Sequence, residues 1–181
     1  MIKKNVEILF LNFNNGLKQR SEFELVGTNA NLKVGEIVFT KNKTVFDKSN
    51  FINHKSNKSI SNYAFIGFAK NNSKLLTKIV SIVNKGISQT KVKQQITCFT
   101  EDNAKIDAKP ILEIHNFDSE AYHGNSIGKL NEAEISSLMT KGFSLEESKK
   151  IIIRGKIDKV LSIVSKDLVL NAQKIMEDKN D

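Results

Sequence analysis

From Phe23 to Thr100 the chain is built of short β-branched and apolar runs, most of them about three to six residues long, broken by corners of Asn, Ser, Gly and Lys. Helical spacing of apolar residues begins only after Asn131. A body of short strands with polar corners is all-β. Antiparallel sandwiches and β-solenoids both have this texture, and no exact repeat in the sequence separates them. The first strand lies within Met1–Phe13, where Val6, Ile8 and Phe10 alternate with Glu7, Leu9 and Leu11. Asn14-Asn15-Gly16 reads as a tight turn. Strands are then expected at Phe23–Val26, Ala30–Val34, Glu36–Phe39, Thr44–Phe46, Phe51–Ile52, Tyr63–Phe68, Lys74–Val83, Gly86–Gln89, Val92–Thr100 and Ile111–Ile114, with Gly35 as a corner.

The tail has start and stop signals for helices. Asn131 with Glu134 is an Asn form of the capping box, and Gly142 fits just past a C-terminus. These predict a helix over 132–141 with Ile135, Leu138 and Met139 on one face. Ser144 with Glu147 is a cleaner box. It opens a second helix from Leu145 through Ile151, Ile152 and Ile153, with Gly155 bending or interrupting it. A third stretch runs from Ile157 to Met176, and 177–181 should fray. The expected division is a β core over 1–127 and a helical subdomain over 128–181.

Composition excludes several classes. No apolar run approaches 18 residues, so no membrane-spanning helix is expected. The run Ile8–Leu11 is too short for a signal-peptide core, which points to the cytoplasm. One cysteine, Cys98, precludes a disulfide framework. Net charge is +8, but only Arg20 and Arg154 are arginine and the lysines are scattered, so nucleic acid is not expected as a partner. No HExxH, CxxC, GxSxG or Walker-type loop is present. The imidazole and thiol donors, His54, Cys98, His115 and His123, are far apart in sequence.

A series of short motifs carries a resemblance. Lys109-Pro110 leads into Leu112-Glu113-Ile114, then an acidic turn at Asp118, then Tyr122-His123-Gly124, a small-residue linker and the capped helix. Upstream stand Leu25-Val26-Gly27-Thr28-Asn29-Ala30 and Ile52-Asn53-His54. From about Phe23 to Ile157 the chain resembles the core domain of the SufB/SufD family, scaffold proteins of iron–sulfur cluster assembly. Gly124 after His123 looks more like the SufD branch. The resemblance implies a mainly β fold, a right-handed parallel β-helix followed by a small C-terminal helical subdomain. It also implies a short form without the family's N-terminal helical domain.

The function implied is a non-catalytic scaffold. The partners implied are a SufC-like ATPase at the helical tail and a second SufB/SufD-like core subunit, or a second copy of this chain. His123 matches a family ligand for iron or for a transient cluster shared across a subunit interface. Leu145, Ile151, Ile152, Ile157 and Leu161 are the expected partner-binding residues, with part of that apolar surface packed on the end of the β-helix. The family's SufB cysteine falls nearer Gln94 than Cys98, and Ala121 stands where SufD chains often carry Cys. Cys98 therefore reads as an ordinary buried thiol, and His115 as structural or solvent-facing. The competing class is an all-β binding module or enzyme acting on polysaccharide. Its mark would be paired carboxylates, and only scattered acids such as Glu101 and Asp102 are present.

Overall fold

The computed structural model describes residues 1–13 and 16–177. Among these residues, nine strands alternate between two sheets and three helices follow. One sheet has five strands in the order β1 (Asn5–Phe13), β3 (Asn31–Thr40), β5 (Ile60–Ala69), β7 (Thr90–Thr100) and β9 (Ser119–Gly128). The other has β2 (Leu17–Leu25), β4 (Val45–His54), β6 (Lys74–Val83) and β8 (Lys105–Ile114). Every pairing is parallel. The chain thus climbs as a β-solenoid of about four coils, each crossing from one sheet to the other. The expected parallel β-helix is what the chain forms.

The period was hidden in the sequence by variable corners. Hydrogen bonds join Asn71 to Asn42 and Thr90 to Ser119, 29 residues apart, and Asn53 to Glu22, 31 apart. At one corner Asn29, Lys58 and Gln89 adopt left-handed backbone; at the other, the pairs Asn42-Lys43, Asn71-Asn72 and Asp102-Asn103 do so. Asn and Asp tolerate this region best. The corners also bond along the solenoid axis. The Asn29, Lys58 and Gln89 N–H groups donate to the carbonyls of Asn57, Ser88 and Asp118 in the next coil.

The interior between the sheets is apolar over most of its length, with Leu32, Val34, Phe46, Phe65, Leu75 and Ile79 buried in one cluster. A second cluster lies outside the five-stranded sheet. There Ile37, Ile66 and Phe68 are covered by Ile157, Val160 and Leu161 of the helical tail. Phe13, Phe39, Phe68 and Phe99 form a stacked ladder, one ring per coil, with centroids 5.7, 4.9 and 5.4 Å apart.

The helices are α1 (Glu132–Met139), α2 (Leu145–Leu161) and α3 (Lys166–Glu177). Asn131 caps α1 by accepting from the Ala133 and Glu134 N–H groups. Past its end, Gly142 at φ +97° and the bonds Gly142 N–H to Met139 O and Phe143 N–H to Leu138 O make a Schellman stop. Ser144 and Glu147 complete the reciprocal box on α2.

Several expectations are corrected. Gly35 is not a corner: β3 runs through it, and a Cβ there would lie 2.9 Å from Leu9 Cδ1 of β1 and 3.4 Å from Val160 Cγ1. Thr44–Phe46 and Phe51–Ile52 belong largely to one strand, β4. Gly86–Gln89 is turn, with positive φ at both ends. The small-residue linker after His123 is strand, since β9 continues to Gly128. Gly155 does not interrupt α2, which runs unbroken through it from Leu145 to Leu161. The break falls after Leu161, where the Ser165 N–H turns to donate to Glu7 Oε2 at 2.7 Å. The tail packs on the outer face of the five-stranded sheet, not on the solenoid end, since α2 contacts β3 and β5, and α3 contacts β1. The expected turn at Asn14-Asn15 and the fraying of 178–181 lie outside the described residues.

Candidate functional site

The last strand, β9, is set by the corner before it. Asp118 O accepts the Gln89 N–H at 2.7 Å, the Asn116 side chain donates to Ile87 O, and the Ser119 hydroxyl donates to Asn116 Oδ1 at 2.6 Å. Ser119 thereby falls opposite Thr90, and the register continues as Ala121–Val92, His123–Gln94, Asn125–Ile96 and Ile127–Cys98. Val92, Gln94, Ile96 and Cys98 are all buried in the interior of the solenoid. Paired residues of parallel strands share a face, so Ala121, His123, Asn125 and Ile127 also face inward.

No coil among the described residues covers them. All four are exposed, and the inward-facing Pro110, Leu112 and Ile114 of β8 are only half-buried. His123 is therefore the last member of the inward-facing file Ile8–Val34–Tyr63–Gln94–His123 and stands at the open end of the solenoid. Asn125 anchors the strand by donating to Ala108 O at 2.7 Å. Phe117, fully exposed at the corner, and Ile127 give the same end an apolar character. The room left by Gly124 is used by this chain, where a Cβ would meet the Gln95 amide and the Tyr122 hydroxyl at about 3 Å.

The other donors are elsewhere. Cys98 faces inward on β7, 1% exposed, and burial pushes its thiol up to about 12. It lies four residues along the strand from Gln94, roughly 13 Å from the His123 level. His115 is exposed in the corner after β8. His54 is fully buried at the end of β4. Its Nδ1 and Nε2 lie 2.8 Å from the Ser59 and Ser61 hydroxyls. Ser59 donates to Ser56 O, so its oxygen accepts from His54 Nδ1–H, and Nε2 accepts from Ser61. This assigns His54 a structural role as a neutral clamp at the corner.

Burial lowers the His54 pKa from 6.5 to about 4. An unfolded chain takes up that proton below pH 6.5, whereas the folded chain does so only near pH 4. The stability His54 contributes is complete above pH 6.5 and is lost as pH falls from there to 4, by about 3 kcal/mol. Urea denaturation at pH 7 and at pH 4.5 should show a steeper loss for wild type than for His54→Gln. Parallel losses would contradict the assignment.

Among the described residues, no three His, Cys, Asp or Glu side chains lie close enough together to hold a metal ion. His123 can supply one imidazole, and any iron or cluster bound there needs further ligands from across an interface. The expected partner-binding residues divide. Ile152, Ile157 and Leu161 are buried against this chain's own structure, so they are not available for docking, while Leu145 and Ile151 are exposed at 44% and 42%. Two features were missed in the sequence: the place of Gln94, noted there only as the position nearest the family's cysteine, directly beneath His123, and a buried ion pair between Glu36 and Lys48. A register of 29 residues would have shown the first.

A family model described as SUF system FeS cluster assembly, SufBD core domain, matches residues 4–156. The chain is similar to an iron–sulfur cluster assembly SufBD family protein of Pyrococcus horikoshii, 43% identical over 53 residues, covering 29% of this chain and 16% of that protein. A second SufBD family protein of the same organism is 30% identical over 90 residues, covering 48% and 20%. One from Galdieria sulphuraria is 28% identical over 75 residues, covering 41% and 34%. The matched part of the chain spans well under half the length of each of these relatives.

Proposed function

The chain belongs to the SufBD core family of iron–sulfur cluster assembly proteins, and from that premise we propose that it is a non-catalytic, SufD-like scaffold subunit that pairs with a second core subunit through its open end. The observation that carries this reading is the uncovered last strand with His123 as its inward-facing imidazole. A sheet edge with unpaired backbone groups is a ready surface for another strand. The second core is a SufB/SufD-like chain or another copy of this one. A transient iron–sulfur cluster, the cargo, would be held between the two subunits, with His123 as this chain's ligand. The cytoplasm is the compartment that fits such a scaffold; among the described residues no helix is long and apolar enough to cross a membrane.

A SufC-like ATPase is assigned to the junction of α1 and α2, where Met139, Phe143, Leu145 and Ile151 are exposed. Affinity purification from native cells tests the assembly. The Leu145→Asp, Ile151→Asp double variant should lose the ATPase and keep the second core subunit. Because both positions are exposed, its melting temperature should stay within a few degrees of wild type. Full retention of the ATPase would overturn this docking site.

A further inference from the structure

Gln94 is completely buried and reaches across the interior to the opposite sheet. Its amide nitrogen donates to Ser81 Oγ at 2.7 Å and to Ile111 O at 3.2 Å. A main-chain carbonyl can only accept, so this contact fixes which end of the amide is nitrogen. The remaining atom, Oε1, is inaccessible to solvent and has no partner. A buried carbonyl left without a donor is costly, and native interiors rarely leave one.

The inward-facing residue stacked on Gln94 toward the open end is His123, one strand spacing of about 4.8 Å away. His123 is exposed, so its ring can turn about its side-chain bonds over Gln94. We propose that Gln94 is the positioning residue for His123: its Oε1 accepts one imidazole N–H, fixes the tautomer, and leaves the other nitrogen directed out of the open end. Ligating histidines are ordinarily held this way, with the far ring nitrogen donating to a carbonyl or carboxylate. The purpose of this arrangement rests on the reading of His123 as a ligand; the hydrogen bond itself does not.

The test uses the full chain, metal-free, with histidine ring nitrogens labelled and read by NMR at pH 8.5. His115, exposed to solvent, serves as the internal reference. One His123 tautomer should dominate in wild type, and Gln94→Met, equal in length but without an acceptor, should shift the ratio about tenfold toward that of His115. An unchanged ratio in a folded Gln94→Met chain would overturn the proposal. If Gln94→Met does not fold, a wild-type His123 ratio equal to that of His115 would overturn it equally. Failure of iron or cluster binding would leave this result untouched and would count only against the ligand role.

Discussion

Glu36→Ala should destabilise the chain by about 3–5 kcal/mol, a large fraction of the roughly 5–15 kcal/mol that holds a typical domain folded. Glu36 and Lys48 are 1% and 2% exposed, inside the solenoid. Lys48 Nζ sits 2.8 Å from Glu36 Oε1 and 3.5 Å from the centroid of the Phe10 ring. The Tyr63 hydroxyl donates to Glu36 Oε2 at 2.5 Å. Burial, with the neighbouring Glu36 carboxylate, holds the Tyr63 phenol far above its usual range, so it stays a donor.

Removing the carboxylate strands a buried ammonium and a buried hydroxyl together. The pair itself is not what makes the fold stable, since taking two charges out of water costs as much as their attraction returns. The triple variant Glu36→Leu, Lys48→Met, Tyr63→Phe should therefore fold with a stability close to wild type. Denaturant midpoints for the single and triple variants check this. A mild single variant, or a triple variant as damaged as the single, would contradict it.

How much of this was legible in the sequence depends on which interaction set each feature. Local signals were legible. Lys74–Val83 was read with the bounds it has as β6, and the Ser144–Glu147 box opens α2 where expected. Corners made by Asn were legible because Asn tolerates left-handed backbone. Gln89, expected as the end of a strand, was not, and no local preference puts it or Lys58 in that region. They are held by N–H groups donating to the next coil, which exists only once the coils stack. Gly35 was misread for a related reason: its lack of a side chain leaves room for Leu9 of β1 and Val160 of α2, neighbours that only the folded chain brings to it.

The apolar spacing of Ile157 and Leu161 correctly announced a buried face. Spacing alone does not say whether a helix buries that face on its own sheet or on another protein. His123 was found through a resemblance in short motifs. Glu36 and Lys48 carry no such motif, and the resemblance marked Gln94 only as the position nearest the family's cysteine; their roles become visible only through the register of one coil on the next.

His123→Ala should abolish most of the cluster held by the complex. The imidazole is inward-facing, exposed, and the last of its file. Among the described residues, it belongs to no group of three or more His, Cys, Asp or Glu side chains that could hold a metal ion. A single imidazole binds iron weakly, so the proposed site needs further ligands from a second subunit at the open end.

Anaerobic reconstitution with iron and sulfide, followed by visible-range absorption, measures this directly. It should be run on the chain alone, on its complex with the partner core subunit, and on the same complex carrying His123→Ala. The account predicts little absorption from the chain alone, strong absorption from the complex, and its loss on substitution while the complex stays intact by size. Equal absorption from the wild-type and His123→Ala complexes would contradict it, and would make this chain a purely architectural subunit.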